Sequence, residues 1–189
     1  GEKFAFTSVG CVAIACLGFA ASLKVGHTEP ASSQKKTSVF FVRDIWQTIR
    51  SISYDRDLLL AIIASAYFLL IGGFVYSNLI PYGIGHLQLT ETQSAYLFVI
   101  AAMGIGIGSI FAGKLSGRDV EFGIVPIGAI GMTVSSIWLG FEPKFYVTLV
   151  LVLVTGMSAG LFIVPINTFI QIRSPENRRG EILAASGFL

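Results

Sequence analysis

The sequence predicts an all-α, polytopic membrane helix bundle, and two observations carry that prediction. Long uncharged stretches occupy residues 4–23, 58–90, 92–113, 122–141 and 145–172, and a further one opens at Ile182. A helix needs about 20 apolar residues to cross the hydrocarbon core, so five full spans and one truncated span are expected. The second observation is the placement of charge. All of the 13 Lys and Arg residues except Lys3 and Lys144 fall in alternate gaps between these stretches. The first gap holds Lys24, Lys35, Lys36, Arg43, Arg50 and Arg56, the third Lys114 and Arg118, and the fifth Arg173, Arg178 and Arg179. Basic residues stay on the cytoplasmic side of membrane proteins, which puts these gaps inside and Gly1 outside. With 53% hydrophobic residues and a mean hydropathy of +0.75, an ordinary soluble domain is excluded.

The first stretch, after Lys3, could be a signal peptide, but it is too long and would export the most basic loop; a membrane span is expected. An outside start at a Gly, and an apolar segment from Ile182 to Leu189 too short to span, lead us to expect an internal fragment of a larger protein. Cys11 and Cys16 lie on different faces of the first span and are expected as small packing residues, not as a disulfide or metal pair. His27 and His86 have no metal-binding partners nearby in sequence, so no metal or cofactor is expected.

The first loop divides in two. Residues 26–38, GHTEPASSQKKTS, have linker composition. From 39 to 54, Phe41, Val42, Ile45, Trp46, Ile49 and Ile52 recur at helical spacing opposite Arg43, Asp44, Gln47 and Arg50. That pattern predicts an amphipathic helix, lying on anionic membrane lipid or packed as a connector on the bundle ends. Its basic residues point to lipid headgroups rather than nucleic acid.

In the second span, Tyr67, Ile71, Phe74 and Asn78 share one face, expected to look into the bundle or a cavity because polar atoms in hydrocarbon need partners. Thr90 and Gln93 form a capping box that starts the third span. Gly104 with Gly108, and Gly156 with Gly160, have GxxxG spacing, which lets helix backbones approach closely. Gly104, Gly106 and Gly108 lie inside a span, so a nucleotide-binding fingerprint is excluded by context. Pro165 is expected to bend the fifth span or weaken its hydrogen bonding there. Asn167 and Gln171 share a face with Gly156, Gly160 and Val164, and two readings stay open for them: interhelical hydrogen bonds or substrate contact. Ser174 before Pro175 is expected to start the last helix, with Arg178 and Arg179 supplying cytoplasmic charge.

An outside-start span, a long basic loop with an amphipathic helix, and four spans joined by short loops resemble helices six to ten of the twelve-helix major facilitator superfamily fold, the eleventh being cut off. The resemblance implies that residues 1–24 are the last helix of an amino-terminal bundle, 25–57 a cytoplasmic linker, and 58–189 a partial carboxy-terminal bundle. GKLSGRD at 113–119 is similar to the family's cytoplasmic gating loop, with Gly113 where an Asp is usual, and PENRRGEILAA at 175–185 is similar to its Pro-to-Arg-Gly loop. Lys114, Gly117, Arg118, Arg178, Arg179 and Gly180 are thereby implied in gating or topology. The runs GIGIGSIFAGKLSGRDVEFGIVPIGAIGM and IVPINTFIQIRSPENRRGEILAASGFL are similar to the lysophospholipid transporter branch, found alone or as the membrane domain of a bifunctional acyltransferase and acyl-carrier-protein synthetase.

What this implies is flipping of lysophospholipid, chiefly lysophosphatidylethanolamine, across a bacterial inner membrane, with a missing amino-terminal half and possibly a fused acyltransferase as partners. Tyr67, Tyr76, Asn78, Asn167 and Gln171 are the cavity candidates. The alternatives are transport of another small solute or drug, the membrane portion of an acyltransferase, and a structural membrane subunit. An acyltransferase needs a His and a carboxylate for general-base work. His86 has Glu91 at suitable spacing but on the outer side, and His27 is followed by Ser32, so no enzyme site is expected in these residues.

Overall fold

The structure is a computed structural model that describes residues 2–24, 50, 52, 54–116, 121, 123–141, 144–176 and 178–188. The chain divides into two compact units, Gly1–Lys36 and Thr37–Leu189. The first unit contains α1, Glu2–Ser22, whose residues 8–22 are exposed all round. Cys11 and Cys16 are exposed there and not bonded to each other. Most of the expected amphipathic helix, 39–54, lies outside the described residues.

The second unit holds α2 (Arg56–Gly85), α3 (Glu91–Ser116), α4 (Ile124–Leu139), α5 (Phe145–Arg173) and α6 (Arg179–Phe188). Among the described residues there is no strand. Among the described residues, three helices, α2, α3 and α5, are long and apolar enough to cross a membrane. The fourth expected span is shorter than the sequence suggested. α4 has 16 residues, about 24 Å at 1.5 Å per residue and short of a hydrocarbon core of about 30 Å. It lies between Gly123 and Gly140, the latter folding its N–H back onto the Ser136 and Ile137 carbonyls.

α5 is the central helix, packing most extensively against α3 and α4 and also against α2 and α6. Glycine makes this possible. A Cβ at Gly108 would collide with the Met157 carbonyl, one at Gly156 with the Ala101 carbonyl, and one at Gly160 would lie 2.6 Å from the Ile105 carbonyl. Both GxxxG pairs therefore meet across one α3–α5 seam. On the other side of α5, a Cβ at Gly128 of α4 would lie 2.7 Å from the Ser158 carbonyl. Thr155 Oγ1 also donates to Ser135 Oγ at 2.8 Å across that α4–α5 contact. In lipid there is no hydrophobic drive for one apolar helix to leave acyl chains for another, so close backbone packing and such hydrogen bonds hold the bundle.

α2 is held differently, at its two ends. Near its start, Leu58, Ala61 and Ile62 form a buried cluster with Ile52, Ile166, Ile170 and Ile182. Near its end, Leu79 packs with Leu97 and Val152. Gly83 sits so close to α3 that a Cβ there would lie 2.5 Å from Ser94 Oγ. Tyr82 reaches α4, its phenol donating to the Leu139 carbonyl at 3.0 Å.

The helix starts follow local chemistry. Thr90 N donates to Gln93 Oε1 at 3.0 Å and Gln93 N to Thr90 Oγ1 at 3.3 Å, the reciprocal box read from sequence. Ser174 corrects an expectation: it closes α5, donating its hydroxyl to the Ile170 carbonyl at 2.5 Å, and α6 begins only at Arg179. Ser174 has extended backbone angles and its N–H still completes the last turn of α5. Pro175 then prevents continuation, because it cannot donate and disfavours helix in the residue before it.

Candidate functional site

The polar atoms inside the bundle are few, which makes them informative. Apart from Asp57, Glu91, Lys114 and Arg173 near helix ends, α2, α3, α4 and α5 beyond Arg56 carry no charged residue. Where α2 crosses α5, Ser65 is buried, with 5% of its surface exposed. Its hydroxyl donates to Asn167 Oδ1 at 3.5 Å, the long end of hydrogen-bond range. One turn further along α2, Phe68 stacks on Phe162 at 5.6 Å between ring centres. Asn167 is itself exposed, and so is Gln171 one turn on along the same face of α5. A hydroxyl and an amide, and one turn away two phenyl rings, thus meet at the α2–α5 crossing without a formal charge, with the Gln171 amide on the same face of α5.

The other cavity candidates lie elsewhere. Tyr67, Ile71, Phe74 and Asn78 are exposed among the described residues. Tyr67 follows Ser65 by two positions, about 200° around the helix, so the face toward α5 and the Tyr67 face are opposite. The aliphatic residues Leu58, Ala61 and Ile62, with Ser65, make a smoother packing face than the aromatic one, and the helix turns that side inward. Asn78 answers its need for a partner locally, donating from Nδ2 to the Phe74 carbonyl at 2.8 Å. Tyr76 contacts α3 through a tilted ring pair with Phe98, 4.7 Å between centres. Of the five candidates, Asn167 and Gln171 share one face of α5 by their spacing.

Pro165 is buried and lies within α5, which runs unbroken through it. A proline is tolerated there because surrounding helices protect the carbonyl that loses its partner. The basic end of the bundle contains a contact that charge counting misses. Asp55 caps α2, its Oδ1 accepting from Leu58 N at 3.3 Å, while its Oδ2 accepts from Arg173 Nε at 2.7 Å. One carboxylate therefore starts α2 and joins it to the end of α5. The Arg173 guanidinium holds the Asp55 carboxyl below its ordinary range, with the capping N–H groups adding to the effect against a partial desolvation.

The residues implied in gating are spread along this end. Lys114 is exposed. Arg178 Nε donates to Glu181 at 3.3 Å within one turn. Arg179 Nε is buried with no hydrogen-bond partner among the described residues. Gly180 is in open space, where a Cβ would touch nothing. Gly117 and Arg118 lie outside the described residues. Among the described residues no group of three or more His, Cys, Asp or Glu could hold a metal ion.

Ser65, Phe68, Phe162 and the Asp55–Arg173 pair are the site residues that sequence reasoning missed. Asp55 had a signal: an Asp three positions ahead of the apolar run that opens at Leu58 is a helix start in its own right. Ser65 had none beyond being a hydroxyl among aliphatic residues, and which face of α2 packs depends on tertiary contact. A model of the Major Facilitator Superfamily matches residues 3–189. No curated protein and no solved structure matches the chain.

Proposed function

The chain belongs to the major facilitator superfamily, whose members are secondary membrane transporters, and from that premise we propose that it carries lysophospholipid across a bacterial inner membrane. The family places it in the membrane as a transport protein; the cargo is our reading. The observation that supports it is the pair of charge-free contacts at the α2–α5 crossing, Ser65 with Asn167 and Phe68 with Phe162, with Gln171 on the same face of α5 as Asn167. Amides and a hydroxyl can hydrogen-bond a glycerol hydroxyl or an ester, and stacked aromatic rings receive an acyl chain. A sugar would demand a denser set of donors and acceptors, and an organic cation would call for a carboxylate or an open aromatic cage.

In this reading residues 58–189 are part of one half of the transporter, which rocks against an amino-terminal half about a site near the bilayer midplane. The tight α3–α5 seam moves as one body, while α2, fixed mainly at its ends, faces the pathway. The acyltransferase associated with this branch would lie in a separate fused domain.

Uptake tests the proposal. The intact parent protein is expressed, and entry of labelled lysophosphatidylethanolamine into spheroplasts is measured with a short sugar and a cationic dye as competitors. Saturable entry indifferent to both competitors is the expected result. Entry that the dye abolishes would favour a drug transporter, and no entry by a well-folded protein would remove the lipid reading.

A further inference from the structure

We propose that a groove between the starts of α3 and α5 holds an anionic phospholipid of the surrounding bilayer, with one acyl chain in the groove and its phosphate on Lys144. The inference needs only that the chain sits in a membrane, as its family does, and is independent of the cargo.

The groove has a volume of about 240 Å3 and lies at the end of the bundle opposite the Asp55–Arg173 pair. Its apolar walls are Leu89 from the turn before α3, Leu97 and Ile100 from α3, and Phe145 and Leu149 from the first turns of α5. Leu97 is only 1% exposed and packs with Leu79 and Val152, and Ile100 and Leu149 rest on that cluster. The floor is therefore fixed by packing and stands open without a ligand. Sites for drug-sized molecules run to about 300–1,000 Å3, so this groove is too narrow for a bulky solute and suits a single hydrocarbon chain. A chain entering from the loop end would run along α3 toward the middle of the membrane.

The polar groups at its mouth select the headgroup. Gln93 and Tyr96 also line the groove. Gln93 uses Oε1 to accept from Thr90 N at 3.0 Å, which leaves its Nε2 hydrogens to offer a ligand. Tyr96 is 62% exposed, and its phenol can donate. Lys144 is exposed and immediately precedes Phe145 as the residue that begins α5. It is the one Lys or Arg in the loops 86–90 and 140–144, which meet at this end through the Tyr82 hydrogen bond to the Leu139 carbonyl. Among the described residues no acidic group pairs with Lys144. Glu142 lies outside the described residues, and Glu91 precedes Gln93 by two positions, about 200° around α3. An ammonium, an amide and a phenol beside an apolar slot match a phosphate above an acyl chain. A long Lys side chain at the membrane surface reaches for that depth.

A second groove shows what a lipid face without selection looks like. It is bordered by Val134, Ile137, Trp138 and Phe141, all on or just after α4, and no donor lies on it except the Trp138 indole. Acyl chains can lie there whatever their headgroup, so Trp138 serves as an internal control.

The test reads lipid contact at the first groove. In the intact transporter Phe145→Trp is made with every other Trp replaced by Phe, and the protein is reconstituted in phosphatidylcholine vesicles. Brominated acyl chains are carried either by added phosphatidylglycerol or by the phosphatidylcholine. Half-maximal quenching is expected at a mole fraction of phosphatidylglycerol about fivefold below that of phosphatidylcholine, the preference one Lys gives toward anionic lipid. Lys144→Gln should erase that preference and Lys144→Arg should keep it. Trp138, left as the single Trp in a companion protein, should be quenched alike by both lipids. Equal quenching of the Phe145→Trp reporter by the two lipids, or a preference that survives Lys144→Gln, would overturn the proposal. So would a reporter that neither lipid quenches, because protein would then cover the groove. Unfolding temperature gives a reading without the reporter: added phosphatidylglycerol should raise it more in the unaltered transporter than in Lys144→Gln, and an equal rise would contradict the site.

Discussion

At Asp55 one side chain does two jobs that can be separated by a single substitution. Asn caps helices as well as Asp does, so Asp55→Asn should keep the Leu58 N–H satisfied and lose only the ion pair with Arg173. The sign of the pH effect follows from the direction of the shift. A carboxyl whose folded pKa is depressed contributes stability above its unfolded value, here ordinarily 3.8, and that contribution is lost as pH falls through the lower folded value. Thermal unfolding of wild type and Asp55→Asn in detergent should differ most near neutral pH and converge on acidification below about pH 4. A gap that stayed constant into acid would mean that the ion pair is not formed. A second residue-scale prediction concerns Tyr82, whose phenol satisfies the Leu139 carbonyl at the end of α4. Tyr82→Phe should cost about 0.5–1.5 kcal/mol, read as a lowered unfolding temperature with lysolipid uptake retained. Neither contact was legible in the sequence. Asp55 announces a helix start but not its distant Arg, and nothing local to Tyr82 names a carbonyl 57 positions away.

At the scale of elements, the central seam was the most legible part of the protein. The spacing of Gly104 and Gly108, and of Gly156 and Gly160, marks two helix faces without side chains, and the structure puts these faces together. Substitutions should therefore divide by register. Gly108→Ala and Gly156→Ala push a Cβ into a partner backbone and should destabilise the bundle by about 1–3 kcal/mol. Gly106→Ala meets nothing within 4 Å and should be neutral or stabilising by up to about 1 kcal/mol. Unfolding midpoints of the three variants in mild detergent check the order, and equal midpoints would contradict the seam. For the Tyr67 face of α2, an interior or a cavity was expected because polar atoms in lipid need partners; the face is exposed among the described residues, and Asn78 finds a partner on its own preceding turn. The length of α4 was overestimated, since an apolar run such as 122–141 sets an upper limit on a helix and flanking glycines shorten it.

For the whole molecule, alternation of basic and neutral gaps was enough to read an all-α membrane protein, because lipid leaves few other ways to satisfy a backbone. The order of spans and loops, with the loops at 113–119 and 175–185, brought the superfamily into view, and the family match over 3–189 agrees. The proposed site was only half legible: Asn167 and Gln171 lie on one helix and share a face by spacing alone, whereas Ser65 meets Asn167, and Phe68 meets Phe162, through a crossing that no local pattern encodes. The account's central claim is that this crossing receives an amphipathic lipid. It is tested most directly by Asn167→Cys in the intact transporter with Cys11 and Cys16 replaced, measuring the rate of modification by a water-soluble thiol reagent. The account predicts reaction in the absence of substrate and severalfold slower reaction when lysophosphatidylethanolamine, but not a sugar, is present. A thiol that never reacts, or one that reacts equally with and without the lipid, would contradict it and return Asn167 to helix packing.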